Sequence, residues 1–464
     1  MPKNNPRLVV VALVIVAVGA ATVGWLLRHP TPQPNVVVFM LDTLRKDGLG
    51  CYGRPAGPTP TIDALATDGV RFDQAMAASG WTVPSVASLL TGTWPTLHGA
   101  MGRGTEITPI RAELSTAADV FKKAGYDTVG FGNAAFVSPM IGIDRGFDLF
   151  DHRYSYNWDT RRAGETIDAA LAQLRQRKAR SSFYFIHLFD AHLDYNPPEE
   201  YATRHVGARR VPALPVDQQA VIDMGTGEDG FGPPTLEDQR YLRGLYDAEI
   251  DFMDDQIGRF IDEMKSLGLY ETSTIVIVSD HGEEFWEHGG FQHGHSLYDE
   301  LVHIPLVIKF PETMELAGRS VAAQVRLIDV IPTTLRVAGV DAPDSFLGRS
   351  LLPWARGDAG DDLPAYFEST LYGPPLIARR GPRYKFIQEL TQAGIGASVL
   401  FDWKQDPGET KDLSIEVPEA RDEEQSKLLR FHSGNLDRAR SMSENEAMSL
   451  HPDRIKQLKS LGYL

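Results

Sequence analysis

Three side chains with metal-ligand chemistry stand at the ends of apolar runs that are far apart in the chain. Asp42 closes the run 36–41, and Asp280 with His281 closes the run 274–278, within Val278-Ser279-Asp280-His281-Gly282-Glu283. A carboxylate at each of two strand ends, one followed by an imidazole, makes a natural O/N ligand set for a divalent cation. A strand-end Asp alone would more simply cap the next turn; the neighbouring imidazole and the histidines beyond it argue for the metal. A fourth group is Thr82, in Gly80-Trp81-Thr82-Val83-Pro84-Ser85-Val86-Ala87-Ser88-Leu89-Leu90-Thr91-Gly92. Pro84 suits the first turn of a helix and Gly92 its end. Thr82 is then expected at or just before the helix start, where free N–H groups and the dipole favour an anion. By itself it reads as an ordinary N-cap; beside a cation, its hydroxyl becomes a nucleophile for phosphorus or sulfur.

Five of the thirteen histidines fall between 281 and 303: His281, His288, His293, His295 and His303. The segment 287–295 is too Gly-rich for a regular helix and reads as a loop beside Asp280. Histidines gathered there suit metal binding or proton transfer. His303, before Ile304-Pro305, reads as structural. In Phe185-Ile186-His187-Leu188-Phe189-Asp190-Ala191-His192, His187 has the parity of one strand face and reads as core, and His192, past the strand end, is the better functional candidate.

These residues need a scaffold that carries strand ends to one place. The run 36–41 is continuously apolar, and comparable runs recur at 184–189, 274–278 and 304–310, as expected of strands covered on both faces of a parallel sheet. Helical patterns lie between them, at 161–178 and at 242–267, where Tyr246, Ile250, Met253, Ile257, Ile261 and Met264 form one apolar stripe closed by Gly268. Alternating strands and helices predict a doubly wound, mostly parallel α/β sheet, with ligands beyond the carboxyl ends of its strands. Residues 196–238 read as a polar surface excursion, and the pattern weakens from about 341 onward.

The net charge of -16 comes without a long basic run, which argues against nucleic acid as a partner. The single cysteine, Cys51, excludes an intrachain disulfide and reads as packing. Residues 8–27 are uncharged and apolar or small, and about 20 helical residues span about 30 Å, a bilayer core. Lys3 and Arg7 precede them. The positive-inside rule therefore predicts a single-pass cell-membrane anchor with a cytoplasmic N-terminus and a periplasmic or extracellular catalytic domain. Small residues at 19–21 leave a cleaved signal peptide as the alternative. His29-Pro30-Thr31-Pro32-Gln33-Pro34 is a stiff spacer.

In this order, several segments resemble the sulfatase family of the alkaline phosphatase superfamily. Asn35 to Arg45 looks like its first metal-ligand strand, and Thr59 to Ala66 like the helix that follows. Thr82 to Gly92 occupies the nucleophile helix, Asp280-His281-Gly282 the second ligand pair, and Tyr298 to Pro305 the segment beyond. Leu400-Phe401-Asp402 with Asp406-Pro407-Gly408-Glu409 resembles the C-terminal hairpin region. With the apolar run and the spacer taken as an anchor and linker over 1–34, the resemblance implies a sulfatase-like catalytic domain over 35–345 and a smaller C-terminal α+β subdomain over 346–464. It also implies Asp42, Thr82, Asp280 and His281 as ligands of one divalent metal (Zn, Mn or Ca). A second ion at Asp190, His192 and His293 or His295 is a further option.

The chain departs from the sulfatase pattern where the chemistry is decided. Sulfatases carry a Cys or Ser that becomes formylglycine, with Pro and Arg two and four residues later; here Thr82 is followed by Pro84 and Val86. A second acidic ligand usually follows the first, and here that residue is Thr43. The set looks more like the phosphoester-processing relatives. The expected activity is metal-dependent hydrolysis of phosphate (or sulfate) esters through a covalent Thr82 intermediate. His295 or His192 protonates the leaving oxygen, and Asn133 and His293 contact the substrate. The substrate is then a small anionic ester or a lipid or glycan head group. A membrane phosphoethanolamine- or glycerol-phosphate-type transferase and a non-catalytic binding protein are the competing readings.

Overall fold

Residues Val36–Leu41 (β1) alternate with period two between the two sides of a sheet. Val36, Val38 and Met40 enter one apolar cluster, and Val37, Phe39 and Leu41 enter the other. The computed structural model describes residues 33–103, 106–153, 161–207 and 234–442, and the backbone of 448–449. After β1 come α1 (Pro60–Thr67), β2 (Val70–Met76), α2 (Thr82–Thr91), β3 (Asp127–Gly132), β4 (Leu149–His152), α3 (Ala163–Arg177), β5 (Ser182–Leu188), α4 (Leu236–Ser266), β6 (Thr274–Ser279), β7 (His303–Lys309), β8 (Arg319–Arg326) and α5 (Val330–Val337). The eight strands form one sheet in the order β8-β2-β7-β6-β1-β5-β3-β4. All neighbouring pairs are parallel except those of β7, which runs antiparallel to both β6 and β2.

The two faces are covered by different helices. Apolar residues of α2 and α5 pack on one side. On the other lie α1, α3 and α4, whose stripe Tyr246, Ile250, Met253, Ile257, Ile261 and Met264 is buried throughout. The doubly wound, mostly parallel sheet predicted from the sequence is the fold found.

Most elements shift by one or two residues from their patterns, and two differ for a definite physical reason. α4 begins at Leu236 rather than 242, because Thr235 and Asp238 form a capping box that starts the helix in polar sequence. The run 304–310 is a strand one residue earlier, and antiparallel, because its apolar side chains are buried on both faces whichever way it runs.

The helix α2 is short and entirely buried. It stops at Gly92, which adopts φ +58, and a Cβ there would lie 2.7 Å from Phe346 Cδ2. The Gly92 carbonyl accepts the N–H groups of Leu347 and Gly348. A second, antiparallel sheet follows: β9 (Ala365–Glu368), β10 (Leu376–Arg380), β11 (Tyr384–Thr391) and β12 (Gly394–Asp402), with α6 (Pro418–Arg440) against it. Buried Lys385 of β11 pairs with Asp299 at 2.8 Å and with Glu409 at 2.9 Å, and Arg380 of β10 pairs with Asp299 at 3.0 Å. These ion pairs fasten the C-terminal subdomain to the segment that precedes β7.

The expected cell-membrane localisation is corrected here. Among the described residues no helix is long and apolar enough to cross a membrane. The segment 8–27, on which the single-pass topology and the periplasmic or extracellular placement rested, lies outside the described residues.

Replacing Gly92 by Ala combines a left-handed conformation unfavourable to a side chain with overlap against the Phe346 ring. Urea unfolding should show a loss of about 1–3 kcal/mol. An unchanged midpoint would mean that the helix end relaxes freely.

Candidate active site

Register carries the two carboxylates together. Leu41 of β1 lies opposite Ser279 of β6, so Asp42 and Asp280 are the next residues on adjacent parallel strands, at their carboxyl ends. The Ser279 hydroxyl fixes the turn: it donates to the carbonyl oxygens of Leu41 and His281 and accepts the Leu44 N–H. Asp42, Asp280 and His281 are fully buried, and each offers one ligand atom within 4.8 Å of the others'.

His281 Nδ1 lies 2.9 Å from the Gly282 carbonyl, which can only accept. Nδ1 therefore carries the proton, and Nε2 faces Thr82 Oγ1 at 3.1 Å, Asp280 Oδ2 at 3.3 Å and Asp42 Oδ1 at 3.7 Å. Thr82 is the first residue of α2 and its hydroxyl is buried. The structure thus gathers residues 42, 82, 280 and 281 at one point. Asp42 Oδ1 and Asp280 Oδ2 are buried without a hydrogen-bond partner. Two such oxygens beside an imidazole nitrogen and a hydroxyl are a donor set that fits a divalent cation.

The charges say the same. Burial and the neighbouring Asp42 carboxylate push Asp280 up from 3.8 to about 7. Burial would raise Asp42 as well, but the hydrogen bond from His187 and the nearby imidazoles hold it well below the usual carboxylate range. Burial disfavours the charged form of His281, yet Asp280 and Asp42 outweigh it and raise its affinity for a proton. Without a metal, protons fill the place that a cation would take.

The histidine segment folds as a hairpin, with Phe285 opposite Phe291 and Glu284 opposite Gln292. It is stitched to the loop that leads into α2 by Gly294 N–H to Gly80 O (2.9 Å). Leu371 and Tyr372 of the C-terminal subdomain donate their N–H groups to Gly294 O. His293 is buried with Nδ1 2.8 Å from Glu283 Oε1, and its ring lies 4.4 Å from that of His281 and 5.0 Å from that of His192. Burial pushes His192 down to about 4, helped by His293, and pushes His293 well below its ordinary value. Both are neutral at pH 7.

His295 is half-buried and bonds Glu284 Oε2 at 2.6 Å rather than Thr82. Asn133 is buried and bonded to His187 and Arg161. Asp190 accepts the Ala163 N–H at the start of α3, so its carboxylate is turned to that helix. His288 stacks on Tyr298 and pairs with Glu300, and His303 bonds the Asp73 carbonyl. Thr43, where a second acidic ligand was expected by resemblance, gives its hydroxyl to the Ala191 carbonyl.

Sequence reasoning missed two groups. His187 Nε2 lies 3.0 Å from Asp42 Oδ2, and Glu283 bridges His293 and the Tyr195 hydroxyl. Strand parity gave His187 a core role, and its carboxylate partner could not be read from parity. Glu283, two residues after His281, carried a usable signal in its spacing alone.

A buried Asp/Asp/His cluster beyond the carboxyl ends of a mostly parallel sheet, with a hydroxyl on a helix start, has the place and the make-up of a metal-dependent α/β hydrolase site. The chain belongs to the sulfatase family: residues 34–340 match the Sulfatase family, and residues 286–430 match that of the N-sulphoglucosamine sulphohydrolase C-terminal region. It is 25% identical to the Delta 4,5-hexuronate-2-O-sulfatase of Bacteroides thetaiotaomicron, over 91% of this chain and 92% of the relative. It is 25% identical to mouse (Mus musculus) steryl-sulfatase over 90% and 84%. Among solved structures, the phosphonate monoester hydrolase of Agrobacterium radiobacter superposes with a TM-score of 0.73 at 22% identity, covering 90% of this chain and all (100%) of that one.

Asp280 makes the metal-free protein's stability depend on pH. Its folded pKa of about 7 lies above the 3.8 expected when unfolded, so its contribution is complete below about 4 and is lost as pH rises through about 7. Chelator-treated protein should lose resistance to urea across that window. Asp280→Asn should flatten the decline in part, since Glu283, also raised to about 7, remains. Equal slopes in the two proteins would assign the effect to other groups.

Proposed function

We propose that this sulfatase-family hydrolase cleaves phosphoric or phosphonic esters through a phospho-threonine intermediate on Thr82. The observation that carries the reading is the Thr82 hydroxyl, at a helix start and 3.1 Å from His281 Nε2 beside two unpaired carboxylate oxygens. Threonine offers no route to formylglycine, so a hydrated-aldehyde mechanism for sulfate release does not apply. Phosphonate monoester hydrolases stand beside sulfatases among the similar structures, so this fold accommodates a phosphorus centre as well as a sulfur one.

Asp42, Asp280, His281 and Thr82 would hold the cation. An imidazole in the set favours zinc or manganese over calcium. When bound, a divalent ion supplies positive charge beside the Thr82 hydroxyl, lowering its pKa and offsetting charge on the transferring group.

Thr82 then gives up its proton to solvent water, and Oγ1 forms a bond to phosphorus as the bond to the leaving oxygen breaks, in line. Free N–H groups in the first turn of α2 favour the anionic transition state. His295, at the solvent edge and held by Glu284, is the proposed donor of a proton to the leaving oxygen. In the second half, neutral His192 takes a proton from the attacking water, and Thr82 leaves. His293, held by Glu283, lines the substrate side.

Thr82→Ala should reduce turnover of p-nitrophenyl phosphodiesters and phosphonate monoesters by about 10³-fold or more, with metal still bound, more weakly, by Asp42, Asp280 and His281. Mass spectrometry of quenched wild-type reactions should find the added phosphoryl or phosphonyl group on residue 82. Preferential turnover of p-nitrophenyl sulfate, or full activity in the variant, would overturn the proposal. His295→Ala should cost about 10²–10⁴-fold with poor leaving groups and much less with p-nitrophenolate, which departs unprotonated. Equal losses on both kinds of ester would remove His295 from the acid role.

A further inference from the structure

The Asp42 carboxylate has two unlike oxygens. Oδ2 lies 3.0 Å from His187 Nε2, and Oδ1 has no hydrogen-bond partner and lies 3.7 Å from His281 Nε2. His187 is fully buried, opposite Met40 of β1, so it projects from the same face as Asp42 two residues further on.

The other side of the His187 ring is fixed by Asn133, just past the end of β3. The Asn133 backbone N–H donates to His187 Nδ1 at 3.2 Å, and the Asn133 side-chain amide donates to the His187 carbonyl. Asn133 Oδ1 accepts from Arg161 Nε at 3.1 Å, and Arg161 pairs with Asp151 at 2.8 Å. A ring nitrogen that accepts an N–H carries a lone pair, so the proton of the neutral imidazole sits on Nε2. Nε2–H then donates to Asp42 Oδ2. The opposite tautomer would set two N–H donors against each other at Nδ1, which also argues against His187 as a ligand through Nε2.

We infer that His187 is a positioning residue, locked by Asn133 as the Nε2–H tautomer, which occupies Oδ2 of Asp42 and leaves Oδ1 alone to face the cation cluster. The inference rests on the metal reading proposed above. It places the polarity of a four-residue chain, from Arg161 through Asn133 and His187 to Asp42, in the service of one ligand atom. Partners of this kind hold a ligating carboxylate in a single orientation before the ion arrives.

The test uses the full chain treated with chelator and titrated with zinc or manganese by calorimetry, as wild type, His187→Leu and His187→Gln. His187→Leu should weaken metal binding by about 10–100-fold. His187→Gln, whose side-chain N–H reaches toward the place of Nε2, should recover most of that loss. A role in packing alone predicts a lower melting temperature of the metal-free His187→Leu protein with unchanged metal affinity and an unchanged metal-induced rise in melting temperature. That result would overturn the inference while leaving the metal site standing. Wild-type protein that binds neither metal would remove the metal reading and this inference together. Should His187→Leu fail to fold, long-range ¹H–¹⁵N imidazole spectra of the wild type decide: an Nε2–H signature for His187 supports the assignment, and an Nδ1–H signature overturns it.

Discussion

Two carboxylates leave neighbouring parallel strands side by side, inside the protein, with one oxygen on each that nothing else satisfies. Unit charges of like sign about 4 Å apart repel by about 4 kcal/mol at an effective dielectric near 20, and burial adds a further cost. A fold tolerates this only if positive charge is supplied on site. In the metal-free chain the supply is protons, on Asp280 and on His281, whose affinities are raised for that reason. Much of the surrounding structure keeps this unfavourable pair from relaxing. The strands that bear it are central in the sheet and covered on both faces, and the Ser279 hydroxyl ties the two strand ends together.

Around the pair, each imidazole has one nitrogen committed elsewhere, which fixes what the other can do. His281 gives Nδ1–H to a backbone carbonyl, and His293 has Nδ1 on Glu283. His187 turns its Nδ1 to the Asn133 N–H. Burial keeps His192 and His293 neutral, whereas His281, which faces both carboxylates, is drawn toward positive charge. A row of rings from His192 through His293 to His281 therefore leads to Thr82 without adding cations that would compete with a metal.

The sequence announced the parts of this arrangement that depend on short-range order. Continuous apolar runs marked β1, β5, β6 and β7, a 3.6-residue stripe marked α4, and the strand-end positions of Asp42 and Asp280 followed from them. The strands β2 and β8 were not legible, because they mix apolar positions with charged and small residues (VRFDQAM and RSVAAQVR). The direction of β7 was hidden too, since burial on both faces erases the difference between parallel and antiparallel neighbours. His187 shows a deeper limit. Its face could be read from parity, but whether that face meets apolar side chains or a carboxylate depends on register with a strand about 145 residues away. Glu283, Tyr195 and Asn133 join the site through loop geometry that no periodicity encodes.

Position 86 bears on how charge is handled in catalysis. Where the sulfatase pattern places Arg, this chain has Val86, fully buried among the apolar side chains of α2 and its neighbours. A guanidinium placed among those apolar side chains would lose its hydration, at a cost that only a paired carboxylate could offset. α2 has thus been given to packing along its whole length, with Thr82 and its hydroxyl left at the one end that reaches the metal cluster. On the proposed mechanism, charge on the transferring group is offset by the cation held at Asp42, Asp280 and His281 and by the helix start, with no contribution from side chain 86. A threonine nucleophile fits that division: its secondary hydroxyl is a weak nucleophile in water and depends on a neighbouring ion for activation. On that proposal, the hydroxyl at position 82 would take its reactivity from a bound cation, with no guanidinium at position 86 to assist it.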